Sequence, residues 1–192
     1  MAKWIALGAV VVLLFWGMSI NNGLVTAEER VNEAWGQVNT AYQRRADLIP
    51  NLVNTVKGAA NFEQETLTAV IDARSKASSI QLTADALNDP NAVKAFEEAQ
   101  AGLRSSLSRL MVVAENYPQL QATQAFRDLQ VQLEGTENRI STERNRFNTV
   151  VREYNTQLRQ FPRNLIAGII GFDQKPYFEA AAGSEQAPTV NF

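Results

Sequence analysis

An N-terminal run without charge constrains this chain more than any other feature. The stretch from Trp4 to Ile20 contains no charged side chain, and the next charge after it is Glu28. As a helix, the apolar part extends roughly 25 Å and the whole charge-free stretch about 36 Å, which is enough to cross a bilayer. We therefore predict one transmembrane helix, whose residues include Trp4, Leu13, Trp16 and Ile20.

The charges that flank this run predict its orientation. Lys3 precedes it, whereas Glu28 and Glu29 follow it, so the positive-inside tendency places the N-terminus in the cytoplasm. Residues 1–27 then form a short cytoplasmic N-terminus and the transmembrane helix, and the rest of the chain is extracytoplasmic. The alternative is a signal peptide cleaved after Ala27. A retained anchor is favoured because the apolar run is long and only one lysine precedes it.

The composition excludes several kinds of chemistry. The chain has no cysteine and no histidine, which excludes disulfides, Cys- or His-ligated zinc and every Ser-His or Cys-His catalytic arrangement. The net charge of −2 indicates no nucleic-acid partner. Carboxylate pairs such as Glu134 and Glu137 arise on any helical surface, and no phosphate-binding loop is present. We predict a non-enzyme without a cofactor or metal.

Apolar residues after Glu28 recur in alternating steps of three and four, the pattern of one helix face. The first ladder consists of Val31, Trp35, Val38, Tyr42, Arg45, Ile49, Leu52 and Val56. A second helix is predicted over residues 62–80, carrying Leu67, Val70, Ile71 and Ala77, followed by a loop over 82–91. The third ladder consists of Val93, Phe96, Gln100, Leu103, Leu107, Leu110, Ala114 and Tyr117.

The last ladder is the longest, and its heptad period favours coiled-coil-like packing. It consists of Phe126, Leu129, Leu133, Thr136, Ile140, Glu143, Phe147, Val150, Tyr154, Gln157 and Phe161, within a helix predicted from 121 to 161. Helices joined by short loops pack antiparallel. The predicted fold is all-α: an N-terminal transmembrane helix followed by an elongated up-down four-helix bundle over residues 28–162.

Two charged residues occupy positions where the ladders require apolar side chains, Arg45 and Glu143. With Arg74, Glu115 and Glu137 they form a candidate buried polar network. Such a network could fix the register of the helices without adding stability, because desolvation offsets most of the attraction. The alternative is a ligand or proton site inside the bundle.

Two further segments are candidates for assembly or membrane contact. Pro50 removes one backbone hydrogen bond from the first helix, so a kink is expected there, and Arg44 precedes it by about two turns. Residues 163–179 form an apolar C-terminal segment that packs on the bundle, on a partner protomer or on the membrane; its candidate contact residues are Leu165, Ile166, Ile169, Ile170 and Phe172. Residues 180–192 are predicted to be a mobile tail.

Several sequence blocks closely resemble the LemA family of bacterial membrane proteins. The most specific is RRADLIPNLVNTVKG at 44–58; AENYPQL at 114–120, LEGTENRI at 133–140 and FPRNLIAGIIGF at 161–172 also match, in the family's order. The resemblance implies an N-terminal anchor in the inner membrane and an extracytoplasmic helical bundle. Some members of the family are linked to organising bacterial membranes, and no biochemical activity is implied.

The leading hypothesis is therefore a non-enzymatic scaffold that self-assembles outside the cytoplasm and organises or remodels the bacterial inner membrane. Its predicted partners are further copies of itself and the lipid bilayer. The alternative is an envelope adaptor that presents a helical groove or its C-terminal tail to a membrane protein such as a protease or transporter.

Overall fold

The structure is a computed structural model that describes residues 1–58 and 62–179. Every regular element within these ranges is helical, so the predicted all-α class is confirmed. The predicted mobile tail lies outside the described residues. The elements are α1 (Ala2–Lys57), α2 (Gln64–Ser79), a 3₁₀ helix (Asp85–Asn88), α3 (Pro90–Ala114), α4 (Pro118–Gln121), α5 (Gln124–Arg159) and α6 (Arg163–Ile170).

The first helix, α1, is uninterrupted over 56 residues, so it is about 84 Å long. Its N-terminal part is long and apolar enough to cross a membrane. The side chains there are exposed rather than packed inside the molecule: Trp4 is 77% exposed, Leu13 60% and Trp16 47%. Ile20 is half buried against the core. The apolar segment and the first ladder therefore share one continuous rod.

The predicted first ladder is confirmed, because all eight of its residues, from Val31 to Val56, are buried. This face of α1 packs chiefly along α5. The helix continues through Pro50, which lies on its exposed side.

The second and third helices pack chiefly on each other. Leu67, Val70 and Ala77 of α2 are buried as predicted, but Ile71 is 41% exposed because it lies on the outer side of that helix. The predicted loop contains the 3₁₀ helix, which buries Leu87. The α3 ladder is buried up to Ala114, where that helix ends.

The buried face of α5 departs from the predicted heptad near its C-terminus. Positions from Phe126 to Phe147 and Tyr154 are buried as predicted. Val150 and Gln157 are only half buried, Val151 and Leu158 are buried instead, and Phe161 is 79% exposed beyond the end of the helix. A straight helix has 3.6 residues per turn and drifts relative to a 3.5-residue repeat. The strict heptad prediction is therefore wrong in this last part.

The core consists of two clusters in sequence along the helices. The aromatic cluster, which includes Trp35, Phe96 and Phe147, lies on the side of the apolar N-terminal segment. The aliphatic cluster, which includes Leu52 and Leu110, lies farther along α1. The four-helix topology, the coiled-coil-like packing and the domain boundaries stay predictions.

Candidate functional site

In the last quarter of α1, a buried arginine lies between the two core clusters. Arg45 is 3% exposed, and its Nη1 donates to Oε2 of Glu137 on α5 at 3.0 Å. Its Nη2 donates to Oε1 of Gln100 on α3 at 2.6 Å. Arg104 Nε lies 3.2 Å from the other oxygen of the Glu137 carboxylate. These four residues, which we call the polar layer, join three helices across the core.

Electrostatics in the polar layer reflect burial. Desolvation lowers the pKa of Arg45, and the Glu137 carboxylate opposes this effect. Burial likewise raises the pKa of Glu97, one turn before Gln100 on α3, and the neighbouring Arg144 guanidinium opposes that shift. Glu137 thus compensates part of the burial of the Arg45 charge, as expected of a structural network, and the buried Nε of Arg45 has no hydrogen-bond partner among the described residues. The role of this network stays a prediction.

Three members of the predicted network do not join this layer. Glu115 is exposed beyond the end of α3. Glu143 is 6% exposed but pairs with Arg139 on its own helix, 3.2 Å away. It lies about 9 Å along α5 from Glu137, so Arg45 reaches only one of these two carboxylates.

The third residue, Arg74, supplies a hydrogen-bond donor that α1 lacks at Pro50. Pro50 has no N–H, so the carbonyl of Ala46 lacks its usual helical donor. Arg74 Nε of α2 donates to this carbonyl at 2.8 Å. The proline therefore creates an acceptor that ties α2 to α1. Arg44, which is exposed, makes no ion pair with any residue in the described ranges.

The C-terminal segment begins with α6, a short helix against the apolar part of α1. Ala167 is buried, and Ile166 is half buried, with its Cδ1 4.0 Å from where a Cβ on Gly17 would lie. The other side of α6 is open: Leu165 is 58% exposed, Ile169 82% and Ile170 52%. Among the predicted contact residues of this segment, only Phe172 packs on the aromatic cluster.

After α6 the chain returns along α5 as an extended strap over residues 172–179. The Asn155 side chain accepts from the Lys175 N–H at 3.0 Å and donates to the Lys175 carbonyl at 2.8 Å. Asn148 contacts the backbone N–H and carbonyl of Phe178 in the same way, both at 2.9 Å. Seven helical residues and three extended residues both span about 10 Å, so the two pairs stay in register.

Two side chains of the strap enter the body. The Phe178 ring lies 5.1 Å from Phe147 and 5.9 Å from Trp35, centroid to centroid. Lys175 is 3% exposed, and its Nζ contacts Oε1 of Glu28 at 2.9 Å and Oδ1 of Asn88 at 2.8 Å. The strap therefore links the middle of α1, at Glu28, to the 3₁₀ helix and α5.

Sequence reasoning missed Gln100, the two asparagines and Lys175. Gln100 could have been found, because it is a polar residue in an apolar ladder, the same signal that singled out Arg45. Asn148 and Asn155 are separated by one heptad, which is a weak signal on a helix rich in polar residues. Lys175 lies in an irregular segment, and no pattern in the sequence predicts its burial.

A groove of about 450 Å³ lies between α1, α3 and the end of α2, lined in part by Trp35, Tyr42 and Gln100. Trp35 Nε1 donates to the Leu82 carbonyl on its rim at 2.9 Å. Within residues 1–58 and 62–179, His, Cys, Asp and Glu side chains form no group of three that could hold a metal ion.

Comparison with known proteins identifies relatives of this chain. Magnetosome protein MamQ 2 of Paramagnetospirillum magneticum is 28% identical over 174 residues, covering 82% of this chain and 64% of the relative. Magnetosome protein MamQ of Magnetospirillum gryphiswaldense is 28% identical over 179 residues, covering 84% and 66%. Protein LemA of Metamycoplasma hominis is 22% identical over 160 residues, covering 83% and 69%.

The chain thus spans slightly less than two thirds of the length of the magnetosome relatives. A family profile, that of the LemA family, matches residues 34–192. The match includes the polar layer, α6 and the strap. Because it covers most of the sequence, the chain belongs to the LemA family.

Proposed function

We propose that this LemA-family protein is a non-enzymatic, membrane-anchored scaffold that self-assembles outside the cytoplasm and organises or remodels the bacterial inner membrane. The observation that carries the proposal is the continuity of α1 from the apolar segment into the body. A rod shared by both parts holds the body at one angle to the bilayer. Many bodies held at one angle impose a shape on the membrane that flexibly tethered bodies do not.

The non-enzymatic part of the proposal is supported by residue types and by relatives. The chain lacks the histidine and cysteine on which many catalytic arrangements depend. The relatives are named for the magnetosome and for the family rather than for a reaction.

The experiment that tests the scaffold is performed on the full chain. Light scattering in mild detergent measures the mass of the protein, and electron microscopy records the shape of liposomes that contain it. We expect a large, discrete assembly and deformed vesicles. A monomer on smooth vesicles contradicts the proposal.

A matched pair of variants at Gly23 tests whether the continuity of α1 matters. Gly23→Pro introduces a kink between the apolar segment and the body, because proline removes a helical hydrogen bond and clashes with the preceding turn. Gly23→Ala is the control, since a Cβ at this position meets no atom within 4 Å. We expect the alanine variant to deform vesicles and the proline variant to lose this effect while keeping the helix content of the body. Equal vesicle deformation by both variants contradicts the role of the rod.

The adaptor is the second candidate, and the groove beside Trp35 is the observation that favours it. Its aromatic and amide lining suits an extended peptide, since amides can bond a peptide backbone and aromatic rings can cover apolar side chains. An adaptor needs its partner in order to assemble, whereas a scaffold assembles alone. Light scattering of the purified protein therefore separates the two candidates.

A further inference from the structure

The neighbours of α5 and α6 on α1 show which part of α1 lies beside α6. The last turn of α5 comes first: Gln157 lines a cleft with Asn22, Gly23 and Arg30, just beyond the apolar run of α1. α6 follows α5 and lies nearer the N-terminus of α1, since Ile166 lies beside Gly17. Gly17 precedes Ile20 by about 4.5 Å along the helix. The short helix therefore lies level with the end of the apolar run.

The side of α6 turned away from the body is apolar. Leu165, Ile169 and Ile170 are each more than half exposed, and Phe161, just before the helix, is 79% exposed. Exposing such an apolar cluster to water costs free energy. Amphipathic helices that lie in a bilayer interface instead bury their apolar side to a depth of about 5–10 Å. Gly17 lies about 4.5 Å inside the end of the apolar run, close to the shallow limit of that range.

Basic side chains near α6, and one paired carboxylate, suit the same position. Arg159, at the end of α5, is exposed and can extend its guanidinium to lipid phosphates. Glu28, the first acidic residue after the apolar run, is paired with Lys175, so the base of the body presents a compensated carboxylate to the headgroups. The helix α6 itself contains one charged residue, Arg163, at its first position.

We propose that α6 is embedded in the leaflet that faces the body, alongside α1, with Leu165, Ile169 and Ile170 among the lipid acyl chains. α6 and α1 then form two membrane contacts, which fix the tilt and the rotation of the body about the α1 axis. The inference rests on the membrane anchoring in the proposed function and does not depend on self-assembly.

The absence of cysteine allows a direct test, because an introduced cysteine is the only thiol in the chain. Ile169→Cys is labelled with an environment-sensitive fluorophore, and the full chain is reconstituted into vesicles of phosphatidylethanolamine and phosphatidylglycerol. Quenching by aqueous iodide is compared with quenching by lipids that carry a nitroxide near the top of the acyl chain. Val131→Cys is the matched control, since this 67% exposed residue lies on α5 roughly 40 Å from Gln157.

We expect the label at Ile169 to emit at shorter wavelength, to be quenched by nitroxide lipid and to escape iodide, and the label at Val131 to show the reverse. Equal iodide quenching at both positions overturns the inference, because α6 then lies in water. Protection from both quenchers at Ile169 also overturns it, because a second copy then covers α6. A monomeric protein with lipid quenching at Ile169 keeps this inference and contradicts only the scaffold.

Discussion

At the scale of single residues, the polar layer contains a buried charge, which disfavours folding, and hydrogen-bond partners that stabilise this charge. Removing the guanidinium of Arg45 from water costs free energy, and the Glu137 carboxylate and the Gln100 amide offset part of that cost. An apolar side chain there could give equal stability. The layer instead favours one relative position of the helices, because Gln100 of α3 and Glu137 of α5 both reach Arg45 in only one alignment along α1. We interpret it as a device that fixes the register of these helices.

Arginine replacements around one carboxylate test how buried and exposed partners differ. Arg45→Ala removes a buried cation and leaves the Gln100 oxygen without a donor, so we expect the free energy of unfolding to fall by about 2–3 kcal/mol. Arg104→Ala removes a 57% exposed partner of the same Glu137 and should cost less than about 1 kcal/mol. Urea unfolding of the full chain in detergent, followed by circular dichroism, measures both. Equal losses for the two variants contradict the distinction.

The pairing of Arg74 with the Ala46 carbonyl predicts a coupling with Pro50. Arg74→Met should cost about 1 kcal/mol of unfolding free energy while Pro50 is present, because the Ala46 carbonyl loses the donor that replaces the missing N–H. In a Pro50→Ala background the N–H of residue 50 returns, so the same change should cost less. A double-mutant cycle over the four proteins measures the difference. Strict additivity shows that Arg74 does not compensate for the proline.

At the scale of elements, periodic segments were predictable and irregular ones were not. The ladders of α1 and α3 were recognised because their burial follows a local 3.6-residue period. The strict seven-residue repeat did not predict the shift to Val151, because a straight helix of 3.6 residues per turn drifts away from such a repeat. The position of the strap itself depends on the side chains of Asn148 and Asn155, which pair with residues far away in the chain. No local pattern contains that information.

The two asparagines should control how firmly the strap is held. Asn155→Ala leaves the buried N–H and carbonyl of Lys175 without partners, so we expect local opening of the strap to become easier by about 1–3 kcal/mol. Hydrogen exchange of the strap amides measures this effect. The control is Asn145→Ala, since Asn145 is exposed on the same helix. Unchanged protection in the Asn155 variant contradicts the assigned role of this side chain.

At the scale of the whole molecule, the sequence predicted what depends on composition and length. The apolar run and its exposed side chains are such features, because an uncharged helix of that length is typical of a transmembrane span. The pairing of α1 with α5, and of α2 with α3, depends on surfaces from distant parts of the chain. The polar layer shows the difference: Arg45 was visible as an exception in its ladder, but only the packed helices select Glu137 rather than Glu143.

The orientation predicted from Lys3, Glu28 and Glu29 applies to the entire chain and can be tested with single thiols. In intact spheroplasts, a membrane-impermeant maleimide should label Ser141→Cys, because this residue is exposed on α5, in the body that the predicted orientation places outside the cytoplasm. It should label Ala2→Cys, a variant that keeps Lys3, only after the membrane is permeabilised. The reverse pattern contradicts the positive-inside argument. A shortened protein that labels at Ser141 and never at position 2 indicates instead that the apolar run is cleaved as a signal peptide.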